Sequence, residues 1–210
     1  MGRYVGPVCR VCRREGVKLM FKGIRCETAK CPMEREYKNN PPGMHMWRRG
    51  KSSEYGVRLR EKQKVKRYYG LLERQFQKVF REAEKSMDNT GVELLRLLER
   101  RLDNAVYKSG LVGSRRTARQ AVSHGHILVN GRKCDRPGYR VRPGDKISVN
   151  KREKSQKFIH QQIGEESPRP VQSWLHTDFK AVEVTVVSLP TREDVQIPVE
   201  EQLIVEFCSR

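Results

Sequence analysis

Long apolar runs are missing from this 210-residue sequence. No segment approaches the about 18 or more apolar residues of a membrane-spanning helix, and no apolar stripe is backed by a purely basic face. Neither a spanning nor a surface-lying helix is expected. The opening residues MGRYVGPVCR lack the apolar stretch of a secretory leader, so a reducing, cytosolic setting is expected. Apolar residues reach only 36% while charged residues reach 33%, which is little material for a large core. Catalytic patterns are also missing: there is no Ser-His-Asp order, no HExxH helix and no convergent pair of carboxylates. Gly50-Lys51-Ser52 looks like the end of a phosphate-binding loop, but His45 stands where that loop needs its first glycine. Nucleotide binding is excluded on that ground.

What the sequence has in excess is positive charge, a net of +19. Residues 1–70 carry 19 Lys and Arg against 6 Asp and Glu, and residues 71–155 carry 20 against 10. The remainder is mildly acidic, with 5 against 9. A basic excess of this size favours a polyanion, because each cation that neutralises a phosphate releases condensed counterions. With no membrane segment, the expected partner is nucleic acid.

Four of the six cysteines form two close pairs, Cys9-x2-Cys12 and Cys26-x4-Cys31. Two thiolates so spaced can grip one ion as a knuckle, and a second pair after a short loop completes a tetrahedron. Lys18, Lys22, Arg25 and Lys30 would offset the charge of four thiolates. A reducing setting counts against disulfides, and a redox pair of the thioredoxin kind would need a βαβ pattern that is absent. Zinc is the expected ion, with a [4Fe–4S] cluster as the alternative and a metal-free segment also open. Four protein ligands leave no open position, so the ion would be structural and would supply folding free energy to a segment with almost no core. Cys134 and Cys208, standing alone, are expected to be ordinary buried thiols.

The turn-rich Asn39-Asn40-Pro41-Pro42-Gly43 leads into the basic Trp47-Arg48-Arg49-Gly50-Lys51. Ser52 or Ser53 can cap a helix running to Tyr69 and stopping at Gly70. Its apolar residues are Tyr55, Leu59, Val65 and Tyr69, and Arg58, Arg60, Lys62, Lys64, Lys66 and Arg67 occupy most of the rest. Such a run is usually a solvated face, but cations on several sides suit a helix crossing nucleic-acid backbone. Helices are expected over 73–85 and 92–108, whose apolar stripes are core. The segment 151–180 reads as a polar connection with a short helix near 156–163. Strands are expected over 182–187 and 203–207.

The stretch 113–149 is denser in meaning. Ser114 can cap a short helix ending near Gly125. At about 100° per residue, Ala118, Ala121 and Val122 share one face, and Arg115, Arg116 and Arg119 lie roughly 110° away. One helix can therefore dock on a core and present three guanidiniums, with its free N–H groups also suited to a phosphate. A strand over 127–129, the hairpin pair Asn130-Gly131, a turn at Pro143-Gly144-Asp145 and a strand over 147–149 complete a small helix–hairpin module. Arg132, Lys133, Arg140 and Arg142 form its basic rim. His124 and His126 can join it as donors or stacking groups, or be ordinary loop histidines.

These residues carry a family likeness. The opening MGRY, the four-cysteine segment with Cys12-Arg13-Arg14-Glu15-Gly16, Pro41-Pro42-Gly43 with His45, and Leu59-Arg60-Glu61-Lys62-Gln63-Lys64 occur in order. Leu102-Asp103-Asn104, Ser114-Arg115-Arg116, His124-Gly125-His126, Val129-Asn130-Gly131, Glu201-Gln202-Leu203 and Ser209-Arg210 follow. Together they resemble the bacterial S-four family of small-ribosomal-subunit proteins over almost the whole chain. Met46, where that family usually has glycine, and Gly138, where serine is common, are departures, and some members lack the cysteines.

The resemblance implies an α+β architecture: a mainly helical first domain with an N-terminal four-cysteine metal knot, plus a small helix–hairpin RNA-binding module. The expected divisions are a knot and basic extension over 1–50, a helical domain over 51–95 completed by 180–210, and the RNA-binding domain over 96–179. It implies a non-enzymatic primary binder of small-subunit rRNA, cytoplasmic, within the small ribosomal subunit. It also implies neighbours S-three and S-five, a place near the mRNA entry path with a part in translational accuracy, and in some members repression of their own mRNA. The expected RNA contacts are Arg3, Arg13, Arg14, Arg48, Arg49, Lys51, Arg58, Arg60, Lys62, Lys64 and Arg67. In the module they are Ser114, Arg115, Arg116, Arg119, His124, His126, Asn130, Arg132, Lys133 and Arg140. Two competitors remain: a zinc-dependent regulator of DNA, and an RNA-modifying enzyme. Arg101-Leu102-Asp103 resembles the short signature of pseudouridine synthases, whose aspartate is the nucleophile, although an exposed or capping carboxylate is the plainer expectation for Asp103.

Overall fold

The computed structural model describes residues 4–44, 53–165 and 171–209. The chain forms two compact units, Met1–Leu94 with Gln196–Arg210, and Leu95–Val195.

In the first unit, helix α1 (Val8–Glu15) stops at Gly16, whose φ of 69° ends the helix in the left-handed region. Two single 3-10 turns, Gly23–Cys26 and Glu36–Lys38, carry the chain onward. Helix α2 (Glu54–Tyr68) is capped by Ser53, whose Oγ accepts the Gly56 N–H at 3.1 Å. Helix α3 (Glu73–Ala83) buries Phe76, Val79, Phe80 and Ala83, the stripe expected from its spacing. Helix α4 (Thr90–Glu99), within which the division at Leu94 falls, starts where Asn89 Oδ1 accepts the Gly91 N–H at 2.9 Å.

Two expectations are corrected here. The helix over 92–108 is two helices, because the chain turns extended at Arg101 (ψ 137°) before helix α5 (Leu102–Lys108). There it pairs with a later loop: Leu102 N–H donates to Tyr139 O, and Val141 N–H donates to Arg100 O. The strand expected over 203–207 is helix α8 (Glu201–Cys208). A short apolar run does not by itself separate strand from buried helix. Packing on α2 decides it: Ile204 is fully buried, and the Phe207 ring lies 5.3 Å from that of Tyr55.

In the second unit, helix α6 (Arg115–Ser123), strands β1 (Ile127–Val129), β2 (Arg132–Lys133) and β3 (Lys146–Val149), and helix α7 (Glu153–Glu165) follow α5. Strands β4 (Leu175–Asp178) and β5 (Glu183–Val186) complete an antiparallel sheet of order β2-β1-β3-β5-β4. Alternation sets its buried face: Ile127 opposes Val149, Val129 opposes Ile147, and Ile147 opposes Val184. That face packs with Leu102, Ala105 and Val106 of α5, Ala118, Ala121 and Val122 of α6, and the fully buried Ile159 of α7. Strand β5 was expected to join the helical domain with 180–210. It is instead the neighbour of β3, because Val184 and Val186 complete the same apolar face. Strand β4 was not expected at all.

Candidate nucleic-acid interface

Helix α6 is built as the sequence suggests, but its arginines divide into separate roles. Ser114 is buried, and its Oγ accepts the Thr117 N–H at 3.2 Å, so it caps the helix. Arg115 is only 8% exposed. It donates from Nε to Asn104 Oδ1 at 2.8 Å, and its guanidinium lies 4.4 Å from the centre of the Tyr107 ring. This arginine is a core tie, not an outward contact. Arg116 and Arg119 are half-buried, and Arg119 reaches Asp103 Oδ2 at 3.5 Å.

Asp103 is neither exposed nor a cap. It is buried and held by Arg101 through two bonds, Nε to Oδ1 at 3.1 Å and Nη2 to Oδ2 at 2.8 Å. A carboxylate already paired with two guanidiniums is a poor nucleophile, which weighs against the RNA-modifying reading. Beside it runs a buried polar chain. Asn104 Nδ2 donates to the backbone oxygen of Glu99 at 3.0 Å, and Lys108 Nζ donates to Asp194 O at 3.0 Å. Burial pushes the Lys108 ammonium down to about 8, against an upward pull from Glu99, with Arg115 pushing down and Asp194 up.

The Asn130-Gly131 hairpin has φ values of 50° and 76°, the two positive values a tight two-residue turn requires. Asn130 is engaged within the fold: its Nδ2 donates to Asp145 Oδ1 at 2.8 Å, and its Oδ1 accepts the Lys146 N–H at 2.9 Å. Arg132 and Lys133 are exposed on β2, and Arg140 is half-buried, with burial drawing its pKa down. Lys133 lies across Gly125, where an added Cβ would clash with its Cε. His126 stacks on Phe158 with ring centres 5.1 Å apart and shares a 2.9 Å hydrogen bond between Nδ1 and Ser155 Oγ. Its pKa is drawn down by burial first and by His124 second. His124 stays exposed, its ring centre 6.0 Å away.

The cations Lys151, Arg152 and Lys154 were missed. All three are exposed, and they follow Asn150, whose N–H donates to His126 O at 2.8 Å. The run Lys151-Arg152-Glu153-Lys154 was the available signal, obscured by reading its segment as a polar connection.

In the first unit, every expected contact on α2 is in an ion pair. Arg58 donates to Glu206 at 2.7 Å and to Glu54 at 3.0 Å. Arg60 and Arg67 share Glu15, Lys64 pairs with Glu61, and Lys62 pairs with Glu73. Lys62 is also buried, its Nζ 4.8 Å from the centre of the Phe207 ring. Burial raises the Glu73 carboxyl, but Lys62 and Lys66 outweigh it and hold the pKa below its ordinary value. Arg13 and Arg14 donate to Asn40 O at 3.3 Å and Pro42 O at 3.2 Å, fastening α1 to that loop. Arg3, Arg48, Arg49 and Lys51 lie outside the described residues.

The cysteines at 12, 26 and 31 are buried, Cys9 is half-buried, and none of the four is in a disulfide. Burial pushes Cys12 up to about 11; the Leu19 backbone opposes this, and the other three cysteines add to it. Cys12 therefore lies within electrostatic reach of Cys9, Cys26 and Cys31. Lys22 N–H donates to Cys26 Sγ at 3.4 Å, a bond suited to a thiolate. Among the described residues, however, no group of three or more Cys, His, Asp or Glu side chains is arranged to hold a metal ion. The donors fit a four-thiolate site in kind, and the assembled knot is not seen. Lys18, expected to offset its charge, pairs with Glu34. Cys134 and Cys208 are half-buried, not buried as expected.

No helix among the described residues is long and apolar enough to cross a membrane. Residues 3–99 match the family described as "Ribosomal protein S4/S9 N-terminal domain", and residues 100–147 match the "S4 domain". The chain is 53% identical over 211 residues to small ribosomal subunit protein uS4 of Thermus thermophilus, covering all of both chains. It is 52% identical over 210 residues to uS4 of a Thermoanaerobacter species and 54% over 212 residues to uS4 of Halothermothrix orenii, again covering each chain completely. These relatives are named as ribosomal proteins and not as enzymes. Two matched families in tandem, together with relatives alike from end to end, place this chain in the uS4 family of small ribosomal subunit proteins.

Proposed function

We propose that this protein is a cytoplasmic, non-enzymatic component of the small ribosomal subunit that binds small-subunit rRNA directly. The observation that carries the reading is the second unit, where a capped α6, an Asn130-Gly131 hairpin and the exposed Arg132, Lys133, Lys151, Arg152 and Lys154 surround one apolar sheet. A structured RNA offers such a rim phosphates and 2′-hydroxyls more than readable base edges. Arg115 supports the surface from within and Asn130 pins its hairpin to Asp145 and Lys146, while Arg116, Arg119, His124, Arg132, Lys133 and Arg140 face the ligand. Early, primary binding during assembly follows from the family likeness. So do a position near the mRNA entry path beside S-three and S-five and a part in translational accuracy; some members of the family also repress their own mRNA.

The same reading assigns one structural ion to Cys9, Cys12, Cys26 and Cys31: zinc, or alternatively a [4Fe–4S] cluster. When bound, that group would neutralise thiolates and tie the two cysteine pairs together. Support comes from the donor set and from the electrostatic reach of Cys9, Cys26 and Cys31 on Cys12.

Binding of the full chain to small-subunit rRNA, to large-subunit rRNA and to duplex DNA tests the proposal. Preference for small-subunit rRNA with a localised footprint is expected. Equal affinity for duplex DNA would favour the regulator reading.

A further inference from the structure

Helix α2 was expected to be the phosphate-facing helix of the first unit, yet its cations are matched by carboxylates. The neighbouring α3 has the opposite arrangement. Arg74, Lys78 and Arg81 recur at the i, i+4, i+7 spacing and are all exposed. At about 100° per residue they fall within roughly 60° of one another, on the side opposite Phe76, Val79, Phe80 and Ala83. No ion pair or hydrogen bond of their side chains occurs among the described residues, in contrast to the six α2 cations. One of the helix's acidic residues, Glu73, is engaged by Lys62 and Lys66 and does not neutralise the stripe. Gln75 and Gln77, also exposed, flank it with further donors.

We infer that the solvent face of α3, centred on Arg74, Lys78 and Arg81, is a binding surface for an RNA phosphate backbone, and that α2 is the scaffold that fixes α3. The inference rests on the rRNA-binding reading above and names the part of the first unit that would carry it. Three cations over about 10 Å of helix axis form a linear array suited to successive phosphates. A protein neighbour is the poorer fit, because the stripe has no aromatic or aliphatic anchor of the kind that dominates protein interfaces.

The test compares the full chain with the triple variant Arg74→Gln, Lys78→Gln, Arg81→Gln, measuring affinity for small-subunit rRNA over a range of salt. Glutamine keeps helix propensity close to that of lysine and arginine, and circular dichroism checks the fold. Each phosphate contact contributes roughly 0.7–0.9 to the slope of log affinity against log salt, so the variant should be shallower by about 2–3. Its affinity at low salt should fall on the order of 10–100-fold. A second variant, Arg74→Lys with Arg81→Lys, keeps the charge and should keep the slope. An unchanged slope in the triple variant, with the unaltered chain still binding, overturns the inference and leaves the face to an acidic protein partner. Failure of the unaltered chain to bind small-subunit rRNA overturns both this inference and the function it rests on.

Discussion

Arg115 and Asn104 are joined at 2.8 Å, Nε–H to Oδ1, and both residues are buried. Asn104 in turn donates to Glu99, so the first arginine of α6 is fastened to the end of α4 by way of α5. The three arginines of α6 should therefore behave differently. Arg115→Ala removes a partner from a buried network and should cost about 2–4 kcal/mol of stability. Arg116→Ala should leave stability within about 0.5 kcal/mol and weaken rRNA binding. Urea denaturation alongside filter binding checks both, and a fully stable Arg115→Ala with weakened binding would return Arg115 to the RNA face.

Asp103 sits between two guanidiniums, bonded bidentately by Arg101 and approached by Arg119. Taking away its charge leaves Arg101 buried without its counterion. Asp103→Asn should destabilise the protein by about 3–5 kcal/mol. If Asp103 were a nucleophile, the same change would abolish uridine conversion with little effect on stability. Thermal melting and nucleoside analysis of incubated rRNA separate the outcomes, and a stable variant would undo the structural role.

Much of this arrangement was legible because it is local. The caps Ser53 and Ser114, the Asn130-Gly131 turn and the apolar stripes of α3 and α6 each depend on residues within a few positions. Tertiary partners were not legible. Nothing near Arg58 announces Glu206, and nothing near Arg67 announces Glu15, so a run of cations read as free was already paired. The same limit hid α8, whose apolar run became helical only because α2 offers Tyr55 and Arg58 to receive it. Charge counting thus found a basic protein correctly and had no means of showing that the α2 cations are held in ion pairs while Arg74, Lys78 and Arg81 of α3 stand exposed.

Lys108 predicts a pH dependence. Its pKa is about 8 in the fold against 10.5 for an unburied lysine. Below pH 8 both states carry the proton, and the folded state bears the full cost of a buried ammonium. Between pH 8 and about 10.5 the unfolded chain binds more protons, so stability should rise with pH from this group, by up to about 3 kcal/mol. Lys108→Met should flatten that rise. Chemical denaturation of both proteins from pH 7 to 10 isolates the difference from other titrating groups, and parallel curves would mean that Lys108 titrates normally.

The cysteine segment gives the last expectation. Buried with its thiol at about 11, Cys12 would stay protonated at neutral pH unless a cation were present to stabilise the thiolate. A metal ion supplies such a cation, and its binding would release protons as well as draw the two pairs together. Treating the purified protein with a chelator should free one zinc equivalent, or the iron of a cluster, and a native mass distinguishes the two. Loss of the ion should make residues 4–44 sensitive to protease while residues 95–195 remain resistant, because the second unit has its own apolar core and none of the four cysteines. Cys9→Ser should reproduce the effect without chelator. Protease resistance that survives both treatments would mean that α1 and the two 3-10 turns hold themselves together, and that the four thiols are not a fastener.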